Sequence, residues 1–507
     1  MLTRLTLNNF KSFAELKNLD IKPITILCGT NSCGKSSIMQ SILLLKQTKE
    51  SRNPNQSLLL NGKYVHLGDI ENIIHGKDKS KATSFKYEYE FTIIELFKSR
   101  RTKRERPLLQ NVFRYLVPDT SKKEKNGKYK LVYEIEAKVA KEGKGYIKVA
   151  DINKFRISLH LTGENKTTRE VSHVEITHTG NDYKLKWHNI PIPTTLRNSN
   201  VGSNRSSEGE ASELLIKFES LFPIIEYNES SDYDKIPFQV RNYLRAFDEF
   251  LSSFNEDVSY VGPLREEPSR RYIYENEVLE IGSKGENAAY IYQTEQDTDI
   301  KGHHFYDEDT CSFKQQKDIS LNDALELWLD LMNIKGFSPD RQSEIIRLNM
   351  DANSSAGTKV NIADVGFGVS QIFPILLEGL RMRQGGSLLL EQPEIHLHPA
   401  LQMQMADYFL SLALSSKNVI IETHSEHIIN RLVRRIVEDE SNKICNLVAI
   451  YFVSNGSEGA TYEEVKLDPL KGISNWPIGF FDQTASEQEK IIMAGITKRK
   501  SLRGKNT

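Results

Sequence analysis

Residues 29–36 place the strongest constraint on how this chain folds. They read Gly-Thr-Asn-Ser-Cys-Gly-Lys-Ser and satisfy the pattern GxxxxGK[ST] at every fixed position. In such a loop the glycines let backbone amides point at a phosphate, the lysine adds positive charge, and the last hydroxyl is a Mg²⁺ ligand. An apolar run at 21–27 precedes the motif and a helix-spaced run at 38–45 follows it, so a chance glycine loop is the weaker reading.

The sequence therefore predicts an ATP phosphate cradle with Mg²⁺. Lys35 is also predicted to act in catalysis, and Ser36 to hold the metal. The nucleotide-binding residues predicted here are Gly29, Thr30, Asn31, Ser32, Cys33, Gly34, Lys35, Ser36 and Ser37.

Two buried-strand patterns late in the chain end in polar side chains. Residues 387–391 (SLLLE) end in Glu391, and residues 418–422 (NVIIE) are followed by Thr423 and His424. Near-continuous apolar runs are typical of strands covered on both faces of a parallel sheet. Glu391 is predicted to be a catalytic and Mg²⁺-holding carboxylate, and His424 to contact the γ-phosphate. Alone, an apolar strand ending in Glu is common, and a histidine such as His424 can simply lie in a surface loop.

A glycine-rich turn at 364–371 (DVGFGVSQ) lies before the first of these strands and leads into an apolar helix predicted at 372–380. Such a turn offers backbone N–H groups and a hydroxyl at a helix N-terminus, a second phosphate-binding surface. Alternatively, the turn simply begins a helix and binds no phosphate. The residues predicted to contact nucleotide here are Gly366, Gly368, Ser370 and Gln371.

Composition bounds the remaining possibilities. The chain has 507 residues, enough for two or three domains, and 67 basic residues balance 68 acidic ones, so no global field favours nucleic acid. Its four cysteines show no zinc or disulfide spacing. No charged-then-apolar leader opens the sequence, and no apolar run reaches the roughly 20 residues of a membrane span. We expect a cytoplasmic protein without membrane contact.

The middle of the chain has a different character. From 85 onwards, alternating strand patterns are separated by charged stretches such as 98–106 and by the Ser/Asn/Gly-rich stretch 197–213, which is expected to be mobile. We expect an N-terminal ATPase lobe at 1–84, an inserted α+β region at 85–257 and a C-terminal lobe at 258–507. A helix is predicted at 322–334.

The order of these motifs resembles ABC-type ATPases of the RecF, SMC and OLD kind. LNNFKSF at 7–13 is similar to their opening strand and turn, DVGFGVSQ to a degenerate signature, EQPEIHLHP at 391–399 to their Walker B strand with D-loop, and ETHS at 422–425 to their switch-histidine loop. The resemblance implies an α/β fold: an ABC-type head with a mixed or parallel sheet and flanking helices. It also implies a homodimer or higher oligomer in which one subunit's signature closes over the other's nucleotide.

A closer resemblance is to the ATPases of bacterial antiphage defence, above all the PtuA family of the Septu system. It is carried by YVGPLREEPSRRY at 260–272 and NWPIGFFDQ at 475–483. It implies regulation of a partner nuclease of the HNH type, similar to PtuB. A RecF-like DNA-repair ATPase and a PARIS-type ATPase with a Toprim effector stay open as alternatives. A self-sufficient OLD nuclease does not fit, because too little chain follows His424 for a Toprim domain.

The chain departs from the transporter pattern at Gln392, where a second acid usually polarises the attacking water. A glutamine can orient water but cannot take its proton, so hydrolysis is expected to be slow. Glu394 and His398 are candidates to compensate. The basic runs at 98–106 and 498–505 predict either DNA contact or a solvated loop and tail.

Overall fold

The fold is given by a computed structural model. It describes residues 1–51, 56–93, 114–117, 127–140, 150–163, 167–180, 182–191, 207–225, 235–273, 280–352, 358–365, 367–477, 481 and 483–503. The basic run at 98–106 and Gly366 lie outside the described residues.

The strands follow one another in this order along the chain: β1 (Leu2–Phe10), β2 (Phe13–Asp20), β3 (Ile24–Gly29), β4 (Thr83–Thr92), β5 (Lys128–Val139), β6 (Ala150–Thr162), β7 (Thr168–Thr179), β8 (Asp182–His188), β9 (Gly209–Leu214), β10 (Lys217–Glu219), β11 (Phe222–Ile224), β12 (Val258–Val261), β13 (Tyr272–Ile273), β14 (Asp299–Asp307), β15 (Ser312–Ser320), β16 (Ser338–Gln342), β17 (Ile345–Asp351), β18 (Lys359–Asn361), β19 (Ser387–Glu391), β20 (Asn418–Glu422), β21 (Val448–Gly456), β22 (Gly459–Val465), β23 (Leu467–Asp468) and β24 (Gly472–Ile473).

The α-helices, labelled in the same way, are α1 (Lys35–Glu50), α2 (Ile70–Ile73), α3 (Phe238–Glu256), α4 (Ala288–Glu295), α5 (Leu321–Leu331), α6 (Phe367–Arg381), α7 (Pro399–Leu414), α8 (Glu426–Glu438), α9 (Lys443–Leu447) and α10 (Gln483–Arg503). Short 3₁₀ turns lie at His75–Lys77 and Ile362–Asp364. Among the described residues, no helix combines the length and the apolar character that crossing a membrane requires.

One sheet is antiparallel and has eight strands in the order β2-β1-β4-β5-β6-β7-β8-β9. It joins the two N-terminal strands to the strands that follow residue 83, and their apolar side chains share one core with α1 and α3. The domain boundary expected at 84/85 therefore falls inside β4. Of the stretch 197–213, which was expected to be mobile, residues 209–213 instead belong to the edge strand β9, whose backbone pairs with β8, and residues 197–206 lie outside the described residues.

A second sheet, in the order β12-β19-β20-β3-β21-β22, carries the predicted site. Its first five strands are parallel, and only β22 runs antiparallel to its neighbour. Side chains alternate between its faces: Leu27 joins the core with α1, whereas Ile26 and Cys28 join the core with α6, α7 and α8. Burial on both faces explains the continuous apolar runs of β19 and β20.

The predicted α/β class with a mixed sheet and flanking helices is confirmed. Strands predicted at 387–391 and 418–422 have those bounds, whereas the strand predicted at 21–27 spans Ile24–Gly29. The helix predicted at 322–334 spans Leu321–Leu331. The helix predicted at 372–380 spans Phe367–Arg381, so its first turn takes in residues that were predicted to form a glycine-rich loop.

Candidate nucleotide-binding site

The loop between β3 and α1 is built on backbone conformations that favour glycine. Gly29 has φ 138° and Gly34 has φ 103°, both in the region that L side chains rarely adopt. A Cβ at Gly29 would lie 1.9 Å from the carbonyl oxygen of Val453, and one at Gly34 would lie 2.1 Å from the Ser12 hydroxyl. The neighbouring strand β21 and the turn between β1 and β2 thus pack directly against the loop, and any side chain at either glycine would disrupt it.

The loop side chains divide into exposed and buried ones. Thr30, Asn31 and Ser32 are exposed, whereas Cys33 is fully buried and its Sγ donates to the carbonyl of Thr30 over 2.8 Å. Cys33 thus fixes the loop from inside. Ser37, in the first turn of α1, lies 3.3 Å from the hydroxyl of Ser12.

Lys35 is only 4% exposed and its ammonium group binds the loop itself. Its Nζ donates to the carbonyl oxygens of Thr30 at 2.7 Å and Gly29 at 3.3 Å. These two acceptors hold the ammonium group inside the loop, at the N-terminus of α1. This is the position from which a P-loop lysine reaches nucleotide phosphates.

Two carboxylates meet at the carboxyl ends of neighbouring strands. Glu391 on β19 pairs in register with Glu422 on β20, and Glu422 in turn pairs with Leu27 on β3. The Glu391 carboxylate accepts a hydrogen bond from the Tyr260 hydroxyl over 3.1 Å. Burial, with the charge of Glu422 as a second cause, raises the pKa of Glu391 to about 7.

The turn after Glu391 is fixed by backbone contacts. Gln392 has φ 46°, and its N–H donates to the carbonyl of Glu422 over 2.7 Å. Arg265 is 6% exposed and donates from Nη2 to the carbonyls of Glu391 at 2.9 Å and Gln392 at 3.2 Å. Burial lowers the pKa of Arg265 to about 10. The turn that carries Gln392 is therefore held from two sides.

The loop that carries His424 is tied to the same turn by Glu394. Its carboxylate accepts from the Thr423 hydroxyl at 2.8 Å and from the His424 N–H at 2.7 Å. Burial, and then the charge of Lys35, lower the pKa of His424, which favours a neutral imidazole. His398, the other residue considered as a compensating group, instead caps α7 by accepting from the N–H of Ala400.

The predicted signature segment lies at the start of α6. Gly368 is helical, and Ser370 and Gln371 are 7% and 3% exposed. A Cβ at Gly368 would lie 3.9 Å from the carbonyl oxygen of His396. Within one subunit this segment therefore lies against the loop that follows the acidic strand.

The residues present fit a magnesium ion that accompanies ATP. The donor set is the Ser36 hydroxyl and the Glu391 carboxylate, and Mg²⁺ at nucleotide sites is usually held by one or two carboxylates together with substrate phosphates. Within the described residues there is no cluster of three or more His, Cys, Asp or Glu that could hold a metal without the nucleotide. Beside this set, one buried oxygen of Glu422 has no hydrogen-bond partner among the described residues, so it is an acceptor with unused capacity.

Three contributors escaped the sequence reasoning. Tyr260 and Arg265 belong to the 260–272 segment, whose contact with Glu391 spans more than a hundred residues, and no local pattern announces it. The sequence signal for Glu422 is its place at the end of a largely apolar strand pattern, like that of Glu391.

The convergence of a phosphate loop, an acidic strand end and a histidine loop on one edge of a parallel sheet defines a P-loop nucleotide-binding protein. The AAA ATPase domain family matches residues 1–429, and the chain belongs to that family. No curated protein matches significantly.

Among solved structures, the chain is similar to an SmcHead bound to the C-winged helix domain of ScpA, with 11% identity, TM-score 0.38, and 92% of this chain and 98% of that chain covered. It is also similar to the SMC head domain from Thermotoga maritima, with 9% identity, TM-score 0.34 and coverage of 92% and 98%. A third is an Smc head domain with an extended coiled coil bound to the C-terminal domain of ScpA derived from Pyrococcus furiosus, with 11% identity, TM-score 0.35 and coverage of 97% and 99%.

Proposed function

We propose that this chain binds ATP with Mg²⁺, hydrolyses it slowly, and serves as the cytoplasmic ATPase subunit of a bacterial antiphage defence complex that regulates a partner nuclease. The observation that carries the ATPase part is the meeting of Lys35, Ser36, Glu391 and His424 at the carboxyl edge of the parallel sheet. The defence part rests on the sequence resemblance to the PtuA family.

Each group has a defined task in this proposal. The loop amides and Lys35 bind the phosphates, with Lys35 exchanging the carbonyls of Gly29 and Thr30 for phosphate oxygens. When bound, Mg²⁺ neutralises charge on the phosphates, held by Ser36 and Glu391. His424, favoured as neutral, donates a hydrogen bond from its ring N–H to the γ-phosphate.

Slow hydrolysis follows from Gln392 in this proposal. Its backbone is fixed by Glu422 and Arg265, so its side chain starts from a defined place beside Glu391. An amide there orients a water but does not accept its proton, which removes a contribution that a general base typically makes. Bound ATP then acts as a lasting signal.

The nucleotide is proposed to join two heads. Gly366, Gly368, Ser370 and Gln371 of one subunit would cover the phosphates held by the other, giving a homodimer or a higher oligomer. Residues 1–84 and 258–507 would form the head and 85–257 an inserted region, even though the antiparallel sheet continues across residue 84.

The experiment that tests the ATPase part is nucleotide binding by Lys35→Ala. Loss of charge-assisted contacts to phosphate, each worth about 1.5–3 kcal/mol, predicts roughly a tenfold to hundredfold weaker affinity for MgATP. Fluorescent ATP titration measures it, with Lys17→Ala as control, since Lys17 is an exposed lysine on β2. Wild-type protein that binds no ATP, or a Lys35→Ala variant that binds it equally well, contradicts the proposal.

The partner is tested by co-purification of the tagged chain with the products of neighbouring genes. An HNH nuclease in the complex supports the proposal. A Toprim protein indicates the PARIS-type alternative, and a polymerase clamp the RecF-like one; either outcome contradicts the HNH assignment.

A further inference from the structure

Glu422 occupies the centre of the site, yet the functions assigned above make no use of its side chain. It is the last residue of β20, the strand between the acidic strand β19 and the phosphate-loop strand β3. Its neighbours in register are Glu391 on one side and Leu27 on the other. The carboxylate therefore lies between the two elements that are predicted to hold the metal.

The Glu422 carboxylate is buried and only partly compensated. The residue is 6% exposed, and its Oε2 has no hydrogen-bond partner among the described residues. Burial raises the pKa of Glu422, the hydrogen bond from the Ser36 hydroxyl and the charge of Lys35 oppose this rise, and the charge of Glu394 adds to it. A buried acceptor without a partner destabilises the fold, more so when it is charged, so such a group in a native fold needs an explanation.

We propose that Glu422 is a second acidic ligand group for the magnesium ion of MgATP, acting with Ser36 and Glu391 across the adjacent ends of β19 and β20. The proposal rests on the ATP-binding function proposed above. Three observations favour a metal: the free carboxylate oxygen, the contact with the Ser36 hydroxyl, and the register pairing with Glu391. The partly buried carboxylate of Glu391 and the buried one of Glu422 repel each other when both are ionised, and a divalent cation removes that repulsion.

This arrangement also accounts for the glutamine at 392. The N–H of Gln392 donates to the backbone carbonyl of Glu422, so the two residues are direct neighbours across the strands. In the transporter pattern an acid follows the metal-binding residue, where this chain has Gln392. Here the corresponding acid is Glu422, on the adjacent strand β20. On that strand the Glu422 carboxylate faces the Ser36 hydroxyl. A carboxylate in this position is better placed to hold the metal than to take a proton from water.

The test measures metal binding apart from turnover. Affinity for Mn²⁺ is determined by electron paramagnetic resonance in the presence of saturating ADP, and affinity for fluorescent ATP is measured with Mg²⁺ and with EDTA. For Glu422→Gln we expect Mn²⁺ binding at least about tenfold weaker and loss of the Mg²⁺-dependent gain in ATP affinity. Affinity in EDTA should stay equal or improve, because a negative charge near the phosphates is gone.

Matched variants make the outcome decisive. Glu391→Gln should weaken Mn²⁺ binding similarly, and Glu422→Asp, which keeps the charge on a shorter side chain, should recover part of it even if Glu422→Gln folds poorly. Asp340→Asn, at an exposed acid on β16, should change nothing. Unchanged Mn²⁺ affinity in Glu422→Gln overturns the inference. This holds even if the variant loses turnover, because a loss of turnover without a loss of metal binding is what removal of a general base would produce. If the wild-type protein itself binds no MgATP, the proposed function fails instead.

Discussion

At the scale of single residues, the site combines a phosphate loop held by its own hydrogen bonds with two neighbouring carboxylates that have no ion-pair partner among the described residues. Lys35 is satisfied by the carbonyls of its own loop, whereas Glu391 and Glu422 face each other and only part of their acceptor capacity is used. Such a site is arranged for an anion at the loop and a cation beside the carboxylates. MgATP supplies both together.

The slow-hydrolysis proposal predicts that Gln392→Glu raises turnover. A carboxylate at this position accepts the proton of the attacking water, and general bases typically contribute a factor of about 10²–10⁴, so a rise of at least about tenfold is expected. Steady-state phosphate release measures it, with Gln342→Glu, an exposed glutamine on β16, as control. Brisk wild-type turnover with no gain on substitution would contradict the proposal.

At the scale of elements, α7 and α8 position the loops that carry the site, and a buried ion cluster joins them. Asp407 on α7 is fully buried, and its carboxylate accepts from Arg431 at 2.7 Å and Arg435 at 2.7 Å on α8. The hydroxyl of Ser425, which caps α8, also donates to the side chain of Gln402 on α7 at 2.6 Å. The acidic-strand turn precedes α7 and the histidine loop precedes α8, so this cluster holds both loops together.

Asp407→Asn is expected to destabilise the fold by about 3–5 kcal/mol. The substitution leaves the guanidinium of Arg435, which is 3% exposed, without its buried counter-charge. Urea unfolding followed by circular dichroism measures the effect. The same chemical change at the exposed Asp340, which pairs with Arg347 over 3.7 Å, should cost less than about 1 kcal/mol. Equal losses in the two variants would show that the cluster is not structural.

A second element-scale prediction concerns pH. His303 on β14 is 1% exposed, its Nε2 accepts from the indole N–H of Trp328 over 3.0 Å, and burial lowers the pKa of His303 to about 3. Between that value and the ordinary pKa near 6.5, the unfolded state binds the proton and the folded state does not. Stability is therefore fully present above pH 6.5 and falls with falling pH, by about 2 kcal/mol at pH 5.

The variant His303→Asn keeps a hydrogen-bond acceptor and removes the titration, so its free energy of unfolding should change less between pH 7 and pH 5 than that of wild type. Urea unfolding at the two pH values gives this difference. His66→Asn, at an exposed histidine, should retain the wild-type pH dependence. If His303→Asn loses as much stability as wild type, the buried histidine does not cause the acid sensitivity.

The sequence predicts a strand or helix well where burial on both faces requires a continuous apolar run. The strands β19 and β20 were predicted with correct bounds because apolar runs on both faces end at a polar residue. The sequence predicts neither the start of α6 at Phe367 nor the edge strand β9, because the glycine and serine residues there have weak propensities for regular structure. Long-range packing determines where α6 begins, and pairing with β8 determines that β9 is a strand. The contacts of Tyr260 and Arg265 with the β19 end depend on the folded sheet and leave no local pattern.

At the scale of the whole molecule, an eight-stranded antiparallel sheet and a six-stranded, mostly parallel sheet share a core that contains α1. The helix that begins at the phosphate loop thus packs against both the head and the strands from the middle of the chain. A movement of α1 on nucleotide binding would reach the antiparallel sheet directly, through side chains such as Leu44 and Leu45 that belong to this core.

The proposed nucleotide-joined dimer predicts that Mg²⁺ and ATP double the molar mass in solution, as measured by light scattering coupled to size exclusion. Slow hydrolysis should make the dimer persist over the run, and Glu391→Asn, which removes the carboxylate proposed to hold the metal, should reduce it. Lys35→Ala should remain at the mass of the nucleotide-free protein. A mass that does not respond to ATP in wild-type protein contradicts the dimer, although not ATP binding itself.

The position of β3 in the parallel sheet has a consequence for synthesis on the ribosome. This strand leads into the phosphate loop, yet its two neighbours, β20 and β21, begin only at Asn418 and Val448. Parallel pairings of such large sequence separation form late in folding. A nascent or truncated chain that lacks them has no partner for either edge of β3, so its phosphate loop lacks Val453, against which Gly29 packs. We therefore expect the proposed nucleotide binding to require both strands, so that incomplete products bind ATP weakly.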